Sequence, residues 1–445
     1  MEHNSNYPKG SEWRVWDLHV HTPASFHWDG GKRFKEMDQN EIETTMCKLY
    51  ETIEKSESAV FCIMDYWTFE GYIKLKNYVN NKNLTLSKTV LPGMELRIQA
   101  PTDFRLNIHA VLSDKLTFQQ LNDFKSSLKI LSTGRTLSEE AIIEFARTLD
   151  ASKARKNGSS DPDKLNNTQL LELGCKTVEI DTKSFKEAFS IVENYGFVYM
   201  PFDTSDGLES LSWEKHPCSD NYYMQLADIF ETRSQDSIDL MVGKKTEKNK
   251  HIFENFYKTL GGVNKPGVCG SDAHRFADYG KFPSNKKCWI KANPNFEGLK
   301  QVIYEPEDRV FIGDEPELNK RVHNNPTKYI RSLKIDQNNN HDATNGIWFK
   351  DEIINFNSEL VALIGNKGSG KSAITDIIGL LGNSYSKNYI TRNGETEELF
   401  SFLNRNKFLK YGLASKYCGE LHWYAGDPEI KILNEDTESF APEKV

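Results

Sequence analysis

The chain of 445 residues lacks any apolar run approaching the roughly 20 residues that a membrane span needs. Its mean hydropathy is −0.62, and its opening, Met-Glu-His-Asn-Ser-Asn-Tyr-Pro, has no apolar signal core. No membrane partner and no secretion are expected. Cysteine is sparse: the seven residues are scattered, odd in number and never spaced C-x-x-C, which fits a reduced, cytoplasmic setting. Positive charge is not in excess either. Against 64 Asp+Glu stand 56 Lys+Arg, a net charge of −8. That excludes wholesale coating of nucleic acid while leaving room for a local basic groove. No internal repeat of 20–50 residues is visible.

What is present is globular. Apolar residues make up 38% and charged residues 27%, enough for a real core and, at about 150 residues per domain, for two or three domains. Short apolar runs read as buried strands, each followed by polar residues. Trp13–Leu18 leads into His19-Val-His21, Ala59–Met64 into Asp65, and Thr89–Met94 into Glu95. Arg105–Ile108 leads into His109, Phe197–Met200 into Pro201-Phe-Asp203, and Gly267–Ser271 into Asp272-Ala-His274. Amphipathic stretches such as 38–57 and 184–195 lie between them, so an α/β sheet or barrel is expected. Five of the six runs deliver a His, Asp or Glu at the C-terminal strand end, where α/β barrels collect metal ligands and catalytic groups. Residues 113–175 read as a helical insertion, with 152–167 an exposed loop.

His19 and His21 are two apart on a strand and so share one face, where two imidazoles can hold one metal ion. An H-x-H pair alone is weak. The later Asp272-Ala-His274 strengthens it. Imidazole with carboxylate suits Mn, Zn or Fe. Arg97 and Arg275 adjoin ligand candidates and could grip a phosphate, or equally sit in structural ion pairs. His216, in Lys215-His-Pro-Cys218, is a weaker candidate for a replacement ligand.

Further on, Gly365-Asn366-Lys367-Gly368-Ser369-Gly370-Lys371-Ser372 fits G-x-x-x-x-G-K-[ST] at every fixed position. An apolar run, Glu359–Ile364, reads as a buried strand before it, and Ala373–Leu381 as a helix after it. The loop amides would wrap phosphates, Lys371 would reach the β/γ-phosphates of ATP, and Ser372 would ligate Mg²⁺.

These motifs resemble two families. Asp17-Leu-His-Val-His-Thr22, Glu95 in Leu91-Pro-Gly-Met-Glu-Leu, His109 in Asn107-Ile-His-Ala, and Gly270-Ser-Asp-Ala-His274 resemble the PHP (polymerase and histidinol phosphatase-like) metal phosphoesterases over roughly residues 13–285. The resemblance implies a distorted β/α barrel. It places His19, His21, Glu95 and Asp272 on a first metal, Glu95 and His109 on a second, and His27 and His274 on a third. Asp65-Tyr66 stands where the family has Asp-His, and Met200 replaces a further His, so the second and third sites each lose a ligand. Asp203 could help the second, and Asp65 could orient a ligand or act as a base. The phosphate loop is similar to that of ABC/SMC-type ATPases. The chain ends 73 residues after Ser372, with no signature motif or Walker B, so the missing ATPase half is expected from a longer chain or a partner protein.

The whole layout, with Met64-Asp-Tyr66 and Cys288-Trp-Ile-Lys291 before the phosphate loop, is similar to the TrlF-like group, a PHP domain fused to an SMC-like ATPase. The expected organisation is a phosphoesterase domain over 1–318, a linker over 319–346 and a partial P-loop ATPase lobe over 347–445. The expected function is an ATP-regulated, metal-dependent phosphoesterase, a nuclease in DNA transactions or antiphage defence. DNA is favoured over RNA as partner, and ATP-driven homo-oligomerisation is expected. The alternatives are a nucleic-acid-binding sensor with weakened chemistry, or a small-molecule phosphatase.

Overall fold

The structure, a computed structural model, describes residues 7–433 except 100–104, 205, 211–216, 340, 343, 345–348, 385–388, 393–394 and 399–413. His216 lies outside the described residues. The chain divides into two compact units, Glu12–Glu315 and Met1–Ser11 with Pro316–Val445.

The larger unit is built on nine strands: β1 Trp13–Val20, β2 Val60–Ile63, β3 Thr89–Ile98, β4 Leu106–Leu112, β5 Gly196–Pro201, β6 Ile229–Glu231, β7 Gly267–Val268, β8 Lys287–Lys291 and β9 Val310–Gly313. They form one mixed sheet in the order β7-β6-β5-β4-β3-β2-β1-β8-β9. The β1–β2–β3 and β5–β6–β7 pairings are parallel, whereas β3–β4–β5 is antiparallel. Past β7 the chain bends back onto β1. Asp272 N donates to His19 O and His21 N to Ala273 O, both at 2.9 Å, and Val20 bridges Ala273 in parallel. The sheet thus nearly closes into a barrel, with β8 and β9 extending it antiparallel from β1. This is the α/β, barrel-like architecture that the alternating runs imply.

Helices cover the sheet because their apolar residues recur at helical spacing. In α1 (Gln39–Lys55) Met46, Leu49 and Ile53 are buried on one face. Its start is fixed by a capping box: Asp38 accepts from Glu41 N, and Glu41 reaches back to Asp38 N. After α2 (Glu70–Asn81), five helices fill the connection between β4 and β5: α3 Phe118–Ser127, α4 Glu139–Arg147, α5 Ala151–Lys156, α6 Asn167–Thr177 and α7 Thr182–Ile191. The insertion therefore continues past residue 175. Its expected loop over 152–167 is partly helical, because the Asp150 carboxylate caps α5 by accepting from Lys153 N. Helices α8 Pro217–Leu226, α9 Gln235–Met241, α10 Phe253–Thr259 and α11 Phe296–Tyr304 complete the unit.

In the smaller unit, α12 (Glu317–Asn324) precedes β10 Ile330–Gln337, β11 Glu352–Asn355, α13 Lys371–Leu381, the hairpin β12 Tyr389–Arg392 and β13 Glu395–Glu398, then β14 Tyr417–Trp423 and β15 Glu429–Ile432. The strands β11-β10-β14-β15 form an antiparallel sheet. Ile377, Leu380 and Leu381 of α13 pack with Leu421 and Leu433 beside it. The strand expected over Glu359–Ile364 does not form. Leu360 is 95% exposed and Ile364 91%. A strand needs ladder partners on at least one side, and among the described residues none pairs with this segment.

Barrel closure brings two backbones too close for any side chain at residue 270. A Cβ there would lie 2.4 Å from both His19 N and His19 Cβ. Gly270→Ala is expected to destabilise the chain by about 2 kcal/mol or more through forced separation of these segments. Urea denaturation checks it, and an unchanged midpoint would mean that closure is slack.

Candidate metal centre

The barrel seam positions the site. His19 and His21 lie at the end of β1 and just beyond it, on the same face as Asp17. The buried Asp17 carboxylate accepts from Ser271 N (2.8 Å), Ser271 Oγ (2.7 Å) and Gly280 N (3.0 Å). It thereby holds the 271–280 segment against β1. That segment presents Asp272, whose backbone sits in the left-handed region at φ 53°, a conformation that costs energy and recurs at functional sites.

Glu95 and His109 do not lie at strand ends, as the sequence pattern had implied. They sit mid-strand on β3 and β4, directly opposite each other in the antiparallel register. The reversal of direction at β4 brings a strand's middle, rather than its end, to the site.

The donor atoms converge. His19 Nε2 lies 3.2 Å from His21 Nε2, 3.3 Å from Glu95 Oε2 and 3.7 Å from Asp272 Oδ1. His21 Nε2 is 3.5 Å from Glu95 Oε2 and 3.7 Å from Asp272 Oδ1. His109 Nε2 is 3.4 Å from Glu95 Oε1. Two overlapping sets result, His19–His21–Asp272 and His19–Glu95–His109, each with donor atoms within 4.8 Å of one another. Both ring nitrogens of His109 and Nδ1 of His21 are buried without a hydrogen-bond partner. Buried polar atoms are ordinarily satisfied, so these orphaned nitrogens, with carboxylate oxygens beside them, fit a divalent cation.

Electrostatics agree. Burial pushes the His21 imidazole down to about 4, leaving it neutral and free to ligate. Burial alone would raise Glu95, yet the adjacent imidazoles of His109 and His19 hold it well below the usual carboxylate range. Asp272 is likewise held low against burial, by His19 and His21. Burial would depress His19, but Glu231 and Asp272 raise it well above its ordinary value, so a cation binding there would have to displace the His19 proton.

The remaining candidates separate. His274 joins the rim: its ring stacks on His21 at 4.3 Å between centroids, and its Nε2 is 3.4 Å from Asp272 Oδ1. His27 is exposed at the cavity mouth, its ring 5.7 Å from that of His274 and 5.8 Å from that of Tyr66. Tyr66 stacks on His21. Asp65 stands apart. Its buried carboxylate accepts from Thr22 N and Thr22 Oγ1, both at 2.7 Å, so it pins the turn after β1 instead of facing the cavity. Arg275 is not at the site either. Its side chain is 60% exposed and pairs with Asp278 at 2.6 Å. Asp203, a candidate helper, accepts from Thr232 Oγ1 and Arg233 N.

Sequence reasoning missed Glu231 and Asn107. Glu231 Oε1 is 3.1 Å from His19 Nδ1, and Asn107 Nδ2 donates to Glu95 Oε1 at 2.7 Å. Glu231 ends β6, a three-residue strand too short to show as a pattern. Asn107 was signalled by its position two before His109, on the same strand face.

A cavity of about 480 Å³ opens over the cluster, lined also by Arg97, Arg105, Lys156 and Lys176. In the smaller unit the phosphate-loop residues are exposed, and Lys371 Nζ donates to Gly365 O (2.8 Å) and Asn366 O (2.9 Å). Gly370 precedes α13 at φ 88°, which favours glycine.

No family model and no curated protein matches the chain. Among solved structures, it is similar to a Bifidobacterium adolescentis protein described as a metal-dependent phosphoesterase, at 15% identity and a TM-score of 0.31, over 66% of this chain and 97% of that one. It is also similar to an amidohydrolase from Chromobacterium violaceum, solved with sulfate and no metal, at 13% identity and a TM-score of 0.32, over 67% of this chain and 98% of that one. These likenesses are distant. Among the described residues no helix is long and apolar enough to cross a membrane.

Two predictions follow from the layer behind the donors. Glu231→Gln removes the charge that orients His19, and should weaken divalent-metal affinity by about 10–100-fold. Calorimetric titration with Mn²⁺ reads this, and unaltered affinity would make Glu231 a bystander. Burial raises Asp65 to about 7 against an ordinary 3.8. The protonated form is thus the one the fold tolerates. Its contribution is complete below the ordinary value and lost as pH rises through about 7. From about pH 4 to about pH 8 the wild type should lose on the order of 4 kcal/mol relative to Asp65→Asn. A stability difference independent of pH would contradict this.

Proposed function

We propose that the larger unit is a metal-dependent phosphoesterase of the PHP type, acting as a nuclease. The observation that carries this is the convergence of His19, His21, Glu95, His109 and Asp272 beneath a cavity whose wall holds Arg97. Divalent cations bound there would supply Lewis acidity and an activated water. The chain's own residues do the rest. Glu95 turns Oε2 toward His19 and His21 and Oε1 toward His109. Glu231 fixes the ring of His19, and Asn107 fixes the carboxylate of Glu95. His274 flanks Asp272 at the rim, where it can meet a leaving oxygen. Arg97 supplies positive charge for a phosphate. Mn, Zn and Fe suit this donor set. DNA is the favoured substrate over RNA.

ATP with Mg²⁺ at Gly365–Ser372 is proposed as the regulator, supported by the loop glycines and by Lys371 folded over its own loop. The unladdered segment at 359–364 supports a lobe completed by further ATPase sequence, in a longer chain or a partner, with self-association as the regulated step.

Elemental analysis after metal-supplemented purification should find bound transition metal. His19→Ala with His21→Ala should remove it with far-UV circular dichroism retained. Less than about a tenth of an equivalent in the wild type would sink the metal site. Metal-dependent cleavage of DNA should vanish in Asp272→Ala. Cleavage confined to small esters would favour a phosphatase, and none at all in metal-loaded protein would favour a sensor. This chain alone should turn ATP over negligibly, since a γ-phosphate clamp and a positioned water are also needed. Robust turnover abolished by Lys371→Ala would overturn the split-lobe reading.

A further inference from the structure

We infer that the helical insertion between β4 and β5 is the substrate-selecting part of the site, and that it makes the cavity a receptor for a polyanionic strand rather than a lone phosphate ester. The inference rests on the hydrolase reading above and assigns the residues that take the strand.

The starting point is Arg97. It is two residues from Glu95 on β3, hence on the same face and roughly 7 Å along the strand. It is only 3% exposed. One of its nitrogens, Nη1, donates to Cys175 O, while Nε is buried with no partner. No carboxylate among the described residues lies within ion-pairing distance of it. A buried guanidinium without a counter-charge is strongly unfavourable. The rings of Tyr66 and Phe26, 5.4 and 5.9 Å from its guanidinium carbon, offset part of that cost, and an anionic ligand would offset more, since Arg97 lines the cavity over the donor cluster. A phosphate there would meet the guanidinium on one side and the metal ligands on the other.

The second observation is where the insertion is tied down. Cys175 O, near the end of α6, accepts from both Arg97 Nη1 and Trp67 Nε1. Ile180 N donates to Arg97 O, and Ile98 bridges Ile180. The insertion is thus anchored on the residue pair that flanks the site, which places Lys176 on the cavity wall. The end of α5 adds Lys156 and Asn157, and Arg105 joins them from just before β4. Lys176 is shared with Glu172 at 2.9 Å, and Arg105 stands 3.7 Å from Asp206. Neither pair is buried, so both cations can exchange a carboxylate for a phosphate at little cost. Lys156 is exposed. One buried and three accessible cations lining the cavity exceed what a single monoester needs. They match a backbone whose neighbouring phosphates run outward from the reacting one.

The test uses the full chain loaded with Mn²⁺, a short single-stranded DNA, its RNA counterpart and bis(p-nitrophenyl) phosphate. In the double variant Lys156→Gln, Lys176→Gln, kcat/KM on the strands should fall about tenfold more than on the small diester, chiefly through KM. The salt dependence of strand binding, read by fluorescence anisotropy, should flatten by about 1.4 in log–log slope, for two lost contacts at about 0.7 each. Loss on DNA alone or on RNA alone identifies the source of the strand and supports the inference. Equal losses on strand and small diester, or no loss, overturn it while leaving the hydrolase reading intact. If wild type cleaves none of the three, the hydrolase reading fails. The anisotropy slope then decides the subsite by itself: flattened supports it, unchanged overturns it. Arg97→Gln should lower kcat/KM on all three substrates, with Arg97→Lys recovering part of it. Absence of that recovery would make Arg97 structural and remove the anchor of the argument.

Discussion

The concentration of ionisable groups at the barrel seam is the constraint on which this unit depends. Glu95, Glu231 and three imidazoles are nearly or fully withdrawn from water, with Asp272 at the edge. Each loses hydration that burial does not return. They tolerate one another because Glu95 faces the imidazoles of His19, His21 and His109 and the amide of Asn107, Glu231 faces His19, and Asp272 lies between the imidazoles and Arg233. That arrangement must be held from behind. Asp17 spends its carboxylate on the 271–280 segment, Asp65 on Thr22, and Asn107 and Glu231 on the donors themselves. The buried polar residues around the seam form one connected support. Gly270 is part of it, since without its lack of a side chain the seam could not close.

Much of the donor set was legible in the sequence because ligands on one strand obey the two-residue period. His19 with His21, and Asp272 near His274, declare themselves locally. Glu95 and His109 were legible as residues and misplaced as positions, since a strand's direction is a tertiary property. Here the antiparallel β3–β4 pair brings mid-strand residues together. Glu231 was illegible. A three-residue strand carries no periodicity, and a lone Glu among 64 acidic residues has no signature. Arg97 and Arg275 show the same limit from the other side. Each adjoins a ligand residue in sequence, yet one is sealed into the cavity wall and the other pairs with Asp278 in solvent.

The smaller unit separates local from non-local information more sharply. The loop Gly365–Gly370 and the start of α13 follow from glycines and a helix N-terminus, which need nothing distant. A strand over 359–364 needs neighbours, and its apolar residues stand in water instead. The motif specifies a phosphate-shaped loop. It does not by itself specify the sheet that would hold that loop rigid.

The insertion bears on an apparent conflict between the chain's overall charge and the proposed nucleic-acid substrate. A net charge of −8 repels a polyanion at long range, but within a Debye length of about 8 Å the local distribution decides. At the cavity Glu95, Glu231 and Asp272 are engaged with imidazoles and Asp206 with Arg105, while Arg97, Lys156 and Lys176 also line it. Two of those four cations come from helices that the barrel does not need for closure. The carrier of Lys176 is anchored to Arg97 through Cys175 and, just beyond it, Ile180. A surface decoration would have no reason to spend a buried guanidinium's hydrogen bond on its own attachment. An insertion that completes the site would.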